Sequence, residues 1–141
     1  DGDVYQAGTL SANPVTMAAG IAALKQLLEP GFYEKLEEKT EYFVSIIMNH
    51  VKIKSYDFHI QQIASIFWMS FDTKRIISAD QIEPNSMTKF NVLHRELLKR
   101  GIYLGPSGYE VGFISAAHQN EHLEIAAQHI NDVLDIIYAA K

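Results

Sequence analysis

The chain has 141 residues, 48% of them hydrophobic, and a formal net charge of -5, which suits one compact domain. Because Lys and Arg are scattered among acidic residues, nucleic acid is not an expected partner. Cysteine is absent and no apolar run approaches the roughly 18 residues of a spanning helix, so disulfides, cysteine-based zinc sites and membrane spans are not expected, which fits a reducing cytoplasm.

Two helices are predicted in the N-terminal part of the chain. Asn13 and Pro14 form an N-cap and first-turn pair, because Asn can accept an unpaired amide hydrogen and the proline ring suits the first turn. This helix should end before the sequence EPGF, and Pro30 should open the second. The apolar residues of the second helix then recur at helical spacing: Phe32, Leu36, Phe43, Ile47 and Val51.

The middle of the chain is predicted to contain strands. Residues 61–72 are rich in β-forming residues and almost wholly apolar, which indicates one strand that is buried on both sides over much of its length. Trp68 lies within this strand and is expected to be a core residue. Ile76 and Ile77 precede polar residues around Pro84, which indicates a short edge strand followed by a loop.

The C-terminal part is predicted to alternate helix, strands and helix. Asn85 or Ser86 should cap a helix that Gly101 ends in a left-handed conformation. Short strands are expected at residues 102–104 and 113–115, on either side of the sequence GPSGYEVG. After Asn120, which should cap the last helix, apolar residues recur at helical spacing. The element order predicts an α+β fold, a small antiparallel sheet covered by helices.

Few residues indicate chemistry when the chain is read without reference to other proteins. Six histidines are spread along the chain, and His118 precedes the expected helix cap, so it does not form a helical metal-binding pair with His122. The glycines of GPSGYEVG lack the strand-loop-helix setting of a phosphate cradle, and no Walker or GxGxxG motif occurs. These patterns predict no metal site, and such a loop is ordinarily only a turn.

Two stretches resemble a known enzyme family: YQAGTLSANPVTMAAGIAAL, from Tyr5, and RGIYLGPSGYEVGFISAAH, from Arg100. Together they are similar to the glutamate-1-semialdehyde 2,1-aminomutases, class III aminotransferases of the pyridoxal-phosphate fold type I. The first stretch is typical of class III aminotransferases in general, and the glutamate in the second indicates the aminomutases. The sequences EPGFYEKLEEKTEYF and AAHQNEHLEIAAQHI fall in the family's order, so the resemblance covers essentially the whole chain.

The resemblance implies the C-terminal portion of a longer enzyme. Residues 1–29 would be the end of the large domain and a connecting helix, and residues 30–141 the C-terminal small domain. The family implies a cytoplasmic homodimer that uses pyridoxal 5'-phosphate (PLP) and pyridoxamine 5'-phosphate (PMP) to convert a small molecule, glutamate-1-semialdehyde, into 5-aminolevulinate for tetrapyrrole (porphyrin) biosynthesis. The family's Schiff-base lysine would lie upstream of Asp1, so we expect the isolated chain to be inactive. Lys25 matches no motif of the family and is assigned no catalytic role.

The resemblance also assigns a cofactor contact to Gly8 and Thr9. In the family, the threonine of this Gly-Thr turn reaches the cofactor phosphate of the neighbouring subunit. Backbone amides and a hydroxyl are suitable donors to a phosphate dianion. The alternative is that Thr9 only ends a loop before the helix, because Ser, Thr and Gly commonly cluster there.

Glu110 is the second residue to which the resemblance assigns a role. The family's glutamate in this loop lies at the active site and handles the amino groups of the substrate. A carboxylate can hold an ammonium group, whereas the arginine that ordinary class III transaminases use to bind an α-carboxylate would repel it. No arginine occurs from Gly101 to the C-terminus. The alternative for Glu110 is a solvated acid in a turn.

Two positions depart from the family's pattern. Ala12 stands where the family usually has the glycine of LSGNP, and Ala64-Ser65-Ile66 stands where a Gly-Ser-Met run is common. Neither position is a reacting group. Alanine excludes φ angles that glycine adopts readily, so Ala12 puts the geometry of the phosphate-side turn in question.

Two other functions remain open at this point. One is that the chain is a fragment of another class III PLP aminotransferase, which would act between two molecules. Glu110 and the missing arginine argue against this reading, and a requirement for an external keto-acid acceptor would support it. The other is a non-catalytic dimerisation or interaction module, whose sign would be self-association through uncovered apolar surface.

Overall fold

The computed structural model describes residue 3 and residues 8–72, 75–83 and 85–139. In chain order the elements are α1 (Pro14–Leu27), α2 (Phe32–Lys54), β1 (His59–Ile63), β2 (Ile66–Ser70), a 3-10 turn (Ala79–Gln81), α3 (Ser86–Lys99), β3 (Gly112–Phe113) and α4 (Asn120–Ala139). The strands form one antiparallel sheet in the order β1-β2-β3. The predicted α+β fold, a small antiparallel sheet with helices packed on it, is confirmed.

The chain divides into two compact units, residues 1–33 and residues 34–141. The first unit contains α1, whose start was predicted correctly: Asn13 Oδ1 accepts hydrogen bonds from the backbone N–H groups of Val15 at 3.0 Å and Thr16 at 3.3 Å. Pro14 occupies the first helical position. No residue of α1 is buried, so its apolar side chains, such as Ile21 and Leu24, are exposed.

The second unit has a single hydrophobic core. Each of its three long helices contributes the apolar face that the sequence spacing predicts, and the strands contribute the side chains that alternate toward the helices. The buried members from the helices are Phe43, Ile47, Val51, Phe90, Leu93, Leu97, Leu123, Ala127, Ile130, Val133 and Leu134, and those from the strands include Ile60, Phe67 and Met69. This cluster is the platform on which the loop after α3 lies.

The helix boundaries were predicted only in part. Asn120, predicted to cap the last helix, is the first residue of α4, and Asn85 occupies the cap position of α3 without a capping hydrogen bond from its side chain. Gly101 ends α3 as expected: its φ is 79°, and the N–H of Ile102 donates to Leu97 O at 3.0 Å, as in a left-handed C-terminal cap. The second helix begins at Phe32 and not at Pro30. Pro30 and Gly31 form the turn before it, in which Gly31 has a φ of 79°.

The single core strand predicted for residues 61–72 is wrong, because the structure has a hairpin there. β1 and β2 pair antiparallel, with Ile63 opposite Ile66, so Ala64 and Ser65 form a two-residue loop. Ala64 has a φ of 48°, a left-handed conformation for which such loops ordinarily use glycine. The sequence Ala-Ser carries only a weak turn signal, because serine is the one turn-forming residue in it, so composition predicted one continuous strand.

Two other predicted strands are also wrong. Residues 102–104 are not a strand but part of the loop, in which Ile102 and Leu104 are half-buried against the core. Their apolar character therefore reflects packing under a loop rather than pairing. The strand β3 pairs with β2 instead, through Phe113 opposite Ile66 and Gly112 opposite Phe67. Residues 75–78 form no strand either, and of the predicted edge segment residues 73, 74 and 84 lie outside the described part.

A polar and aromatic cluster joins the C-terminal ends of α2 and α4. Asp135 accepts hydrogen bonds from Tyr56 Oη at 2.8 Å and pairs with His50 Nε2 at 2.7 Å. Tyr56 also stacks on Tyr138, with ring centroids 4.2 Å apart, and Tyr138 donates a short hydrogen bond to Asp57 O. Burial, together with the nearby Asp57 carboxylate, raises the pKa of Tyr138 to about 12. The cluster fixes the last turns of α4 against α2.

The hairpin loop gives a stability prediction. Replacing Ala64 by glycine should raise the free energy of unfolding by about 1 kcal/mol, because the left-handed conformation costs an L-residue about that much and the exposed methyl group packs against little. Urea unfolding measures the change. The matched control is Ala126→Gly inside α4, which should lower the same free energy by about 1 kcal/mol. Destabilisation by both substitutions would contradict the left-handed turn.

Candidate functional site

The candidate site is built on residues 105–111, here named the Glu110 loop. A tight turn closes it: the N–H of Glu110 donates to Ser107 O at 3.0 Å, and the N–H of Tyr109 donates to Ser107 Oγ at 3.3 Å. Glu110 itself is exposed. Among the described residues, its carboxylate has no hydrogen-bond or ion-pair partner, so it is available to a ligand.

Glycine is favoured at two positions of this loop, because an added Cβ would come within 3.0 Å of neighbouring side chains. A Cβ at Gly108 would lie 2.7 Å from Met87 Cε and 2.9 Å from Phe90 Cγ, both on α3. A Cβ at Gly105 would lie 2.9 Å from Cβ and 3.0 Å from Cδ of Glu110. The loop backbone therefore lies directly on α3 at Gly108, and the Glu110 side chain lies directly over Gly105.

A small pocket opens beside the Glu110 carboxylate. Its volume is about 20 Å³, enough for one water molecule. The core side chains that form its floor are Phe67, Met69 and Phe90. Because this space is far smaller than a substrate, the loop by itself presents Glu110 at a surface rather than enclosing a complete site.

Trp68 contacts the loop from the sheet. Its Nε1 donates to Gly108 O at 2.8 Å. The side chain is only half-buried, so the expectation of an ordinary core residue is corrected: the indole lies on the sheet face opposite to that of its buried neighbours Phe67 and Met69. Sequence reasoning missed this role, because a hydrogen bond between residues 40 positions apart leaves no local pattern.

The histidines near the C-terminus have structural contacts. His118 Nδ1 accepts the N–H of Ser115 at 3.1 Å, and His122 Nδ1 accepts the N–H of Gln119 at 3.2 Å. Lys39 donates to Ala116 O and His118 O at 3.0 and 2.7 Å, which ties α2 to the segment before α4. Within the described ranges, no group of three or more His, Cys, Asp or Glu side chains is arranged to hold a metal ion.

Gly8 and Thr9 lie in an exposed turn before α1. The N–H of Ser11 donates to Gly8 O at 3.0 Å, and a Cβ at Gly8 would lie 2.9 Å from Ser11 Oγ. Within residues 8–72, 75–83 and 85–139, the Thr9 hydroxyl makes no hydrogen bond. The turn therefore offers free donors. Gly8 and Thr9 belong to the first compact unit and Glu110 belongs to the second. The two parts of the predicted site are therefore described separately.

The departure at Ala12 affects the backbone of this turn but does not prevent it from forming. Ala12 has a φ of 57°, the left-handed region in which glycine is favoured and alanine is strained. The next residue, Asn13, still caps α1, and its N–H donates to Leu10 O at 3.1 Å. Alanine therefore adopts the backbone conformation that a glycine at this position would adopt more readily.

Comparison with solved structures defines the fold class. The chain superimposes on an omega-transaminase from Sphaerobacter thermophilus with a TM-score of 0.78 at 20% identity, covering 96% of this chain and 31% of that one. It superimposes on a glutamate-1-semialdehyde aminomutase from Pseudomonas aeruginosa PAO1 with a TM-score of 0.76 at 18% identity, covering 97% and 31%. The chain thus has the fold of part of these aminotransferase-type enzymes.

Comparison with curated sequences is more specific. The chain is 44% identical over 135 residues to the glutamate-1-semialdehyde 2,1-aminomutase of Bdellovibrio bacteriovorus, covering 95% of this chain and 32% of that protein. It is 38% identical over 133 residues to the enzyme of the same name from Desulforapulum autotrophicum, covering 94% and 31%. The resemblance predicted from the sequence is confirmed, and the chain spans about a third of the length of these relatives. No model of a known protein family matches the chain.

The part of the chain that the structure describes contains no helix with the length and apolar character needed to cross a membrane. Its longest helix is α2, with 23 residues. The outer faces of α2 carry many charged side chains, among them Lys35, Glu37, Glu38 and Glu41, as in an amphipathic helix that packs on a protein core.

The contact between Gly105 and Glu110 gives a second prediction. Gly105→Ala should lower the free energy of unfolding by about 1–2 kcal/mol, because the added methyl group displaces the Glu110 side chain. In a Glu110→Gly background the same substitution should lower the free energy of unfolding much less, because the side chain that the new methyl group would displace is absent. Urea unfolding of the single and double variants measures both effects.

Gly20→Ala is the matched control for this prediction. A Cβ at Gly20 meets nothing within 4 Å, and the residue lies inside α1, so alanine should stabilise that helix by about 1 kcal/mol. Equal losses from Gly105→Ala in both Glu110 backgrounds would show that the strain does not come from Glu110.

Proposed function

We propose that this chain is the C-terminal portion of a glutamate-1-semialdehyde 2,1-aminomutase. The observation that carries the proposal is the 44% identity to the Bdellovibrio bacteriovorus enzyme over 95% of the chain. The enzyme would convert glutamate-1-semialdehyde to 5-aminolevulinate, an intramolecular amino transfer that contributes to porphyrin biosynthesis. Residues 1–29 would be the end of the large domain and the connecting helix, and residues 30–141 the small domain. We further propose a cytoplasmic homodimer, as the resemblance implies.

The fold does not distinguish this function from ordinary transamination, because solved transaminases and aminomutases match it equally well. The Glu110 loop supports the aminomutase. It presents an unpaired carboxylate, and no arginine occurs from Gly101 to the C-terminus. A carboxylate attracts ammonium groups and repels a substrate carboxylate, which is the reverse of the selectivity of arginine.

The residues at the start of the chain fit the phosphate of PLP or PMP. The turn at Gly8 and Thr9 is exposed, and the Thr9 hydroxyl is free to donate within the described residues. Hydroxyl and backbone N–H groups donate strong hydrogen bonds to a phosphate dianion. Gly8 and Thr9 would therefore hold the phosphate of the cofactor bound in the neighbouring subunit.

PLP and PMP supply the exchangeable amino group and the electron sink that the amino transfer requires, and solved relatives of this fold contain PLP or PMP. The part of this chain in the chemistry is narrower. Glu110 would accept hydrogen bonds from the substrate's amino groups and keep them oriented, because its carboxylate is exposed and its side chain lies over Gly105. The proton-transferring lysine would belong to the remainder of the enzyme.

The first test is turnover by the longer enzyme that contains these residues. Purified with its cofactor, it should convert glutamate-1-semialdehyde to 5-aminolevulinate without an added amino donor or acceptor. Product formation is measured by a colorimetric assay for 5-aminolevulinate. Turnover only with an external keto acid would favour an intermolecular transaminase, and a folded protein that neither binds PLP nor turns over would favour the non-catalytic module.

Substitutions at the two parts of the site should separate binding from turnover. Glu110→Gln keeps the size of the side chain but removes its charge, so it should lower kcat by about tenfold or more while the cofactor Kd stays unchanged. Thr9→Ala removes one hydrogen bond to a charged phosphate and should raise the cofactor Kd by about 10- to 100-fold. Each variant is the control for the other. Unchanged kinetics in Glu110→Gln, or an unchanged Kd in Thr9→Ala, would remove that residue from the site.

A further inference from the structure

The only tryptophan of the chain connects the sheet to the Glu110 loop. Trp68 lies in the middle of β2, and its Nε1 donates to Gly108 O at 2.8 Å. Its buried neighbours Phe67 and Met69 point into the core, so strand alternation places the indole on the other face of the sheet. The loop is thus held by a group outside the core as well as by the core itself.

The hydrogen bond lies inside the turn that orients Glu110. Gly108 is the second residue of the turn, which closes where the N–H of Glu110 donates to Ser107 O at 3.0 Å. On its other side Gly108 contacts Met87 and Phe90. The peptide after Gly108 is therefore fixed from two directions, and a rotation of this peptide would change the direction in which Glu110 leaves the turn.

The contact depends on an indole rather than on any large apolar side chain. Tryptophan combines an apolar ring with one N–H donor, and phenylalanine would fill much of the same space without donating. Gln61 lies directly opposite Trp68 in the hairpin. Its Oε1 is buried and, among the described residues, has no hydrogen-bond partner, yet the indole donates to the loop.

We propose that Trp68 is a positioning residue for the reaction: its indole N–H fixes the turn at residues 107–110 and thereby sets the direction of the Glu110 carboxylate. This inference rests on the proposed function, because it gives Trp68 a role only if Glu110 contacts the substrate. In this proposal Trp68 acts through the loop, by its hydrogen bond to Gly108 O, and not by contact with substrate or cofactor.

The test is a double-mutant cycle in the longer, cofactor-loaded enzyme. Trp68→Phe should lower kcat by about tenfold, as expected when a catalytic group is slightly misplaced, with no change in the cofactor Kd. In the Glu110→Gln background, Trp68→Phe should have no further effect, because the group that it positions has already lost its charge. Steady-state kinetics for the four proteins give the coupling.

Two controls separate the hydrogen bond from packing. Replacing Trp68 with β-(3-benzothienyl)alanine keeps the size and shape of the ring but removes the N–H donor, so it should reproduce the loss in kcat even where Trp68→Phe folds poorly. Tyr138→Phe is the matched control, because it removes another hydrogen bond from an aromatic side chain to a backbone carbonyl, that of Asp57. It should leave kcat unchanged.

Three results would overturn the inference, and they are distinguishable from one another. If both Trp68 variants had the wild-type kcat while Glu110→Gln was slow, the role of Glu110 would stand and that of Trp68 would be removed. An equal loss from Trp68→Phe in both Glu110 backgrounds would show a general structural role. Unchanged kinetics in Glu110→Gln would remove the proposed role of Glu110, and the positioning role with it.

Discussion

The backbone of the Glu110 loop lies in direct contact with core side chains, and the candidate site depends on this contact. Gly108 lies on Met87 and Phe90. Gly112, the first residue after the loop, lies on the ring of Phe67, where an added Cβ would be 2.6 Å from Cε1. Phe67 and Phe90 belong to the buried cluster that α2, α3 and α4 share with the sheet. The packing of the core therefore determines where the loop lies, and the loop determines where Glu110 is presented. The position of this exposed acid therefore depends largely on contacts made by its neighbours in the loop.

Sequence reasoning succeeded where the determinants are local. Asn13 caps α1 and Gly101 ends α3, since a cap depends on one side chain and on the conformation of one residue. It failed in the strands. Ala64 and Ser65 turn the chain without glycine, proline or asparagine, so composition did not reveal the hairpin, although the family pattern has glycine at the position of Ala64. Ile102 and Leu104 are apolar because they pack against the core, and apolar character alone does not distinguish that packing from strand pairing.

The candidate site shows the same division between local and long-range information. Gly8, Thr9 and Glu110 could be predicted as site residues because the resemblance assigns them roles, although composition favoured an ordinary turn in each case. The contacts that support the loop could not be predicted from the sequence, because they join residues that are far apart along the chain. Trp68 reaches Gly108 across 40 positions, and the need for glycine at residue 105 becomes visible only when the Glu110 side chain is seen to lie over it.

The shared fold and the Glu110 loop have different parts in the proposed function. Transaminases and aminomutases share this architecture at 18–20% identity, so the scaffold does not select the reaction. Selection requires a charge of the right sign at a place that the substrate reaches, and a loop fixed to the core can hold one there. For a mobile carboxylate, the entropy cost of ordering the side chain would offset part of its favourable interaction with the substrate. In this chain Gly105, Gly108 and Trp68 contact the loop or the side chain of Glu110, so under the proposed function the charge of Glu110 would already be in place for the substrate's amino groups.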